Sequence, residues 1–173
     1  MWTVRHAPKD SEGLCVGQYD VPVRIKAPQA LSMVIKEAPI KPEVIFSSDI
    51  SRCADLASLL AQHWGIPHRI DLRLREMSMG EWEGKRYDDL LHDPDWMTWC
   101  ENWKVESTPR GESLEDLNAR VRDWYEEHSA CGRALLISHA GVVRTLHHIA
   151  GMLWEDAIRL HIPHLEWREV RLP

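Results

Sequence analysis

Ala134-Leu135-Leu136-Ile137-Ser138-His139 is an almost unbroken apolar run that ends on a histidine. Successive side chains of a strand point to opposite faces, so a strand with no polar alternation is covered on both sides. Trp2-Thr3-Val4, which leads into Arg5-His6, reads the same way, and so does Glu43 to Ser47. His68 to Leu74 alternates enough to add a strand between them, and Ile158 to Leu172 supplies one or two more.

Helical patterns fill the spaces between these strands. Pro28 opens a helix through Leu31, Val34 and Ile35 that stops before Pro39. Ser48 or Asp49 is placed to cap a second helix, with Ile50, Cys53, Ala54, Ala57, Leu60, Ala61 and Trp64 on one face and Gly65 and Pro67 at its end. Ser113-Leu114-Glu115-Asp116 matches a capping box and starts a long amphipathic helix through Leu117, Val121, Trp124 and Tyr125. A further helix runs from Gly141 to Ala150, before Gly151. Between Arg75 and Gly111 the rhythm breaks: Gly80, Gly84, Pro94 and Pro109 interrupt a Trp-rich stretch that reads as an insertion with short helices.

Alternating strands and helices define an α/β fold, a three-layer sandwich with a mostly parallel central sheet. The expected organisation is one domain over residues 1–173, with a small helical cap insertion at about 77–111. In such sheets ligands bind beyond the C-terminal ends of the strands. That edge receives Arg5 and His6 from the first strand, Arg52 from just past the second, Glu76 from just past the third, and His139 from the fourth.

Composition narrows the function classes. Hydrophobic residues at 44% and charged residues at 28% belong to an ordered globular chain, and a net charge of −6 disfavours nucleic acid and anionic membrane as partners. Cys15, Cys53, Cys100 and Cys131 are dispersed without a CxxC pair, which reads as reduced thiols used in packing. The start of the chain lacks a basic segment followed by an apolar one, and no apolar run reaches membrane-spanning length, so the expected location is cytoplasmic.

Two arginines and two histidines around one carboxylate suit a phosphoryl group. Guanidinium forks pair with phosphate oxygens and keep their charge at any working pH. A neutral imidazole can attack phosphorus, and a nearby carboxylic acid can protonate the leaving alcohol and then activate water. The scheme calls for no metal or cofactor, and no metal-ligand spacing stands out: His147-His148 are adjacent on a helix, and His161 and His164 fall on opposite faces of the expected strand. Taken singly, His6 would be an ordinary strand-end histidine and Arg52 a solvated first-turn residue. Only their convergence argues for chemistry.

Val4-Arg5-His6-Ala7 resembles the RHG signature of the histidine phosphatase (phosphoglycerate mutase-like) superfamily. The resemblance continues through Phe46-Ser47-Ser48-Asp49, Ser51-Arg52-Cys53, Leu74-Arg75-Glu76 and Gly80-Glu81-Trp82-Glu83-Gly84. It closes with Gly111-Glu112-Ser113 and Ser138-His139-Ala140-Gly141-Val142-Val143-Arg144, in family order over nearly the whole chain. It implies that His6 is the phosphoacceptor, that Arg5, Arg52 and His139 form the phosphate pocket, and that Glu76 is the proton donor, with Glu81 and Glu83 as alternatives. Two departures are visible. Ala7 and Ala140 stand where the family has Gly after each histidine, and the loop after His6 lacks a phosphate-contacting Asn, leaving Ser11 or Gln18 to substitute.

Cys15-Val16-Gly17-Gln18-Tyr19-Asp20-Val21-Pro22 and the stretch from Asp95 to Trp103 also resemble alpha-ribazole phosphatases. That likeness implies alpha-ribazole 5'-phosphate, a small phosphorylated metabolite, as substrate in cobalamin nucleotide-loop assembly. Other small phosphorylated metabolites, a phosphoglycerate mutase activity, and a non-catalytic phosphate-binding module are the alternatives. Trp96, Trp99, Cys100 and Trp103 share helical spacing, which favours packing over a ligand platform. Oligomeric state is not legible.

Overall fold

The computed structural model describes residues 1–171. Five strands, β1 (Trp2–Arg5), β2 (Val44–Ser47), β3 (His68–Ile70), β4 (Ala134–Ser138) and β5 (Trp167–Glu169), form one sheet in the order β3-β2-β4-β1-β5. β1, β2, β3 and β4 pair in parallel, and β5 closes the β1 edge antiparallel. β4 lies between β1 and β2, which brings His139 beside both other carriers of site residues.

The period of two explains the layers. Ile45, Leu135 and Ile137 face α1 (Ala27–Lys36) and α2 (Ser51–Trp64), where they meet Ala30, Val34, Leu56, Ala57 and Leu60. Phe46, Ala134 and Leu136 point the other way, into Leu117, Val121 and Trp124 of α5 (Leu114–His128) and Val142, Leu146 and Ile149 of α6 (Ala140–Ile149). Each fully buried Val, Leu, Ile or Phe among them stabilises the fold by about 1.5–3 kcal/mol. The sheet is therefore fixed from both faces.

Between residues 77 and 111 the chain forms a 3₁₀ turn at Gly80–Trp82 and two short helices, α3 (Tyr87–Leu90) and α4 (Pro94–Asn102). Trp96 and Trp99 pack on buried Trp82, Leu90 and Cys15, and Trp103 packs towards the α5 cluster, whereas Cys100 of the same stripe is exposed and does not pack as expected. The capping box forms as read: Ser113 Oγ accepts from the Asp116 amide, and Asp116 accepts from the Ser113 amide.

Three local expectations are corrected. Neither Ser48 nor Asp49 caps α2, whose N-cap is Ile50. The Ser48 hydroxyl instead bonds His139, and the Asp49 carboxylate accepts from Arg75 Nε at 2.7 Å. β3 stops at Ile70, because Asp71 accepts from the Arg73 amide and caps a 3₁₀ turn at Leu72–Leu74. Of the one or two strands expected from Ile158 to Leu172, one forms among the described residues, Trp167–Glu169, and Leu172 lies outside them. His161 and His164 sit in the loop between a short helix, α7 (Trp154–Ala157), and β5, so the two-faced strand expected of them does not form.

Candidate active site

The sheet edge collects the residues that the sequence places there. His6 follows β1 and is almost fully buried, and its ring centroid lies 5.2 Å from that of His139 at the N-cap of α6. His6 Nδ1 is 2.7 Å from the Ala7 carbonyl. A carbonyl only accepts, so Nδ1 carries the proton and Nε2 keeps its lone pair. Burial, then the Arg52 charge, holds the His6 pKa well below its ordinary value; His164 and Arg5 act in the same direction and the Ala7 carbonyl opposes them. The ring is thus neutral at neutral pH.

His139 is fully buried, and its Nε2 faces Ser48 Oγ at 2.9 Å and Cys53 Sγ at 3.5 Å. With Nε2 engaged, Nδ1 is the nitrogen left without an oxygen partner. Burial, then the neighbouring His6 and Arg52, lowers its pKa well below the usual value.

Arg52 comes from the first turn of α2 and is buried. Its Nη1 donates to Tyr19 O at 3.0 Å and its Nη2 to Gly17 O at 2.6 Å, while Asp20 stands 3.8 Å from Nη1. Arg5 donates from Nη1 to Ile162 O at 2.8 Å. Both guanidinium groups keep a buried Nε with no hydrogen-bond partner. A buried donor left unsatisfied costs about 1–3 kcal/mol, so each of these N–H groups is disposed to take an acceptor.

Glu76 lies between the 3₁₀ turn after β3 and the N-terminus of α6. One carboxylate oxygen accepts from the Met77 amide at 3.0 Å and the other from the Gly141 amide at 3.2 Å. Arg120 of α5 fixes its backbone, donating to the carbonyls of Arg73, Arg75 and Glu76 while paired with Glu112. Glu81 and Glu83 are used elsewhere. Glu81 pairs with Arg110, and Glu83 accepts from the amides of Gln18, Tyr19 and Met79, bracing the loop whose carbonyls hold Arg52.

The two alanines have a packing role. Ala7 belongs to the cluster of Val4, Ile137 and Leu165, and Ala140 to that of Val143 and Ile162. Of the two substitutes for the family Asn, Gln18 donates to Glu76 O at 3.1 Å and accepts from Arg75 at 3.5 Å. Ser11 sits farther out, in the turn closed by the Leu14 amide on its carbonyl.

Sequence reasoning missed Arg120 altogether, and for Ser48, Glu83 and His164 it missed the contacts they make here. His164 Nδ1 donates to the His6 carbonyl at 2.6 Å, and its ring lies 5.2 Å from that of His6. Only the position of Ser48 and Glu83 inside matching blocks could have signalled them; nothing in sequence singles out Arg120 or His164. Among the described residues, no group of three or more His, Cys, Asp or Glu is arranged to hold a metal ion, and no helix is long and apolar enough to cross a membrane.

Comparison with known proteins agrees with this geometry. The family model "Histidine phosphatase superfamily (branch 1)" matches residues 1–172. An adenosylcobalamin/alpha-ribazole phosphatase of Salmonella typhimurium is 28% identical over 170 residues, covering 92% of this chain and 82% of the relative. A protein of Escherichia coli O1:K1 named "Probable phosphoglycerate mutase GpmB" is 31% identical over 147 residues, covering 80% of this chain and 68% of the relative. The crystal structure of an alpha-ribazole phosphatase from Shigella flexneri superposes with a TM-score of 0.83 at 22% identity, covering 96% of this chain and 87% of that one, and it speaks for the fold. With the whole chain matched and a neutral histidine set among unsatisfied arginine donors, the protein belongs to branch 1 of the histidine phosphatase superfamily and is a phosphoric monoester hydrolase.

Proposed function

We propose that His6 takes the phosphoryl group of a small phosphomonoester and passes it to water without a metal ion. The observation that carries this reading is the Nδ1–H bond to the Ala7 carbonyl, which leaves Nε2 as the free nucleophile. In the first step Nε2 bonds phosphorus as the ester P–O bond breaks, and Glu76 gives its proton to the departing alkoxide. In the second step Glu76, now a carboxylate, takes a proton from water as the water oxygen bonds phosphorus and the N–P bond breaks. Arg5, Arg52 and His139 hold the transferring oxygens, where the unpartnered Nε–H groups of both arginines await acceptors.

The substrate is alpha-ribazole 5'-phosphate. The loop from Cys15 to Pro22, the stretch from Asp95 to Trp103 and the names of the Salmonella and Shigella relatives support that choice. Residues 77–111 act as a cap over the substrate's outer end, as part of one domain over 1–173.

Phosphate release from alpha-ribazole 5'-phosphate, beside a panel of sugar, nucleotide and glycerate phosphates and without added metal, tests the reading. A clear preference for the ribazole ester, lost in His6→Ala, is the expected result. Isomerisation of 3-phosphoglycerate without released phosphate would instead establish a mutase, which the 31% identical relative brings into the comparison.

A further inference from the structure

Lys9 was not singled out by its sequence, and its surroundings are unusual for a lysine. It follows His6 by three residues, and an isolated antiparallel bridge to Val23 fixes its backbone. Its half-buried side chain reaches inward to donate from Nζ to the Val16 carbonyl at 3.1 Å. One ammonium proton is used there, and two remain. The ammonium is close enough to act electrostatically on Arg5, Arg52, Glu76 and His139.

No carboxylate forms an ion pair with Lys9 among the described residues, and none pairs with Arg5. The Lys9, Arg5 and Arg52 charges therefore act on one another, with Arg144 a further cation beside Arg5, Glu76 the carboxylate that acts on Lys9 and Arg5, and half-exposed Asp20 at the rim of Arg52. Uncompensated charges of one sign in a partly buried site repel one another and lose hydration, an arrangement that an arriving dianion relieves. The two residues first considered for the missing Asn are poorly placed: Gln18 is engaged at both ends of its amide, and Ser11 lies in the outer turn.

We infer that the Lys9 ammonium is the third cationic ligand of the phosphate dianion, taking the place of the absent Asn amide. The inference rests on the phosphatase reading above. Its two remaining N–H donors meet phosphate oxygens while the third stays on Val16, so the loop after His6 contributes charge to the pocket.

Inorganic phosphate, the reaction product, is the probe. Its inhibition constant and the rise it causes in unfolding temperature are measured for the wild type, Lys9→Met, Lys9→Gln and Lys9→Arg. Lys9→Met should weaken phosphate at least about tenfold, the order expected for losing one charge-assisted contact. The phosphate-dependent rise in unfolding temperature should shrink with it. Lys9→Arg should recover most of the affinity, and Lys9→Gln little. An unchanged inhibition constant in Lys9→Met, or recovery by uncharged Gln as good as by Arg, would reduce Lys9 to a tether for Val16. A wild type that binds phosphate and cleaves esters beside an unaffected Lys9→Met overturns this inference alone. A wild type that does neither removes the phosphatase reading and this inference together.

Discussion

Gly141 is the position where a single added methyl group should separate catalysis from stability. It lies in the first turn of α6, and its amide donates to Glu76. A Cβ built there would stand 2.1 Å from Glu76 Oε1, where ordinary contact begins at 3.4 Å. The carboxylate must therefore retreat by about 1 Å, and a misplacement of that size costs roughly 100-fold in rate when the group transfers a proton. The retreat itself is cheap, because the displaced atom is the end of a flexible side chain. Replacing a helical glycine by alanine also favours the helix by about 1 kcal/mol. Gly141→Ala should thus unfold at the same temperature as the wild type or higher, yet cleave an alkyl phosphate about 100-fold more slowly. With p-nitrophenyl phosphate, whose leaving group needs no proton, rapid mixing should show a retained burst of nitrophenolate followed by slow turnover. Only the water-activating step needs Glu76 with that ester. Alkyl phosphate turnover within about threefold of the wild type would refute the assignment of Glu76 as proton donor.

Three further outcomes follow from the same geometry. Ser48→Ala removes the oxygen opposite His139 Nε2 and leaves that buried nitrogen only the weak Cys53 thiol, so chemical denaturation should show a loss of about 1–3 kcal/mol together with weaker phosphate binding. Glu83→Gln replaces one of two acceptor oxygens that serve three amides, and it should raise KM by loosening the carbonyls that hold Arg52, with a smaller change in kcat. The third concerns pH. His6, His139 and His164 all have lowered pKa values, burial being the largest cause for each, and His164 is lowered to about 4. Below about pH 6.5 the unfolded chain takes up protons that the native rings refuse, so stability is full above that pH and falls as pH drops towards 4. Urea unfolding at pH 7.5 and 5.5 should show this loss, and His164→Gln should lose less than the wild type between the two.

The strands that carry the site were legible because burial on both faces leaves a near-continuous apolar run, as in Ala134 to Ser138. The convergence of Arg5, His6, Arg52, Glu76 and His139 followed from the rule that parallel strands present their C-terminal ends to ligands. What escaped was the set of contacts that depends on which side chain wins a shared partner. Ser48 and Asp49 are good capping residues by type, yet His139 and Arg75 compete for them and prevail over the α2 amides. Asp71 ends β3 by capping its own turn, a local bond that alternation of residue types does not reveal. The hydrogen bonds that tie Arg120 and His164 to Glu76 and His6 end on backbone carbonyls, and a carbonyl leaves no mark in the sequence.

The position of β4 also governs when the molecule becomes an enzyme. The chain lays down β1, crosses by α1 to β2, and leaves between them a gap one strand wide. That gap stays open until residues 134–138 have been synthesised and inserted. During translation the part of the chain before Ala134 exposes two unsatisfied inner strand edges, a state open to mispairing with other chains. Insertion of β4 seals both edges and delivers His139 to His6 in the same event. Insertion of β4 and birth of activity should therefore share one kinetic phase, and a nascent chain ending before Ala134 should bind chaperones rather than phosphate.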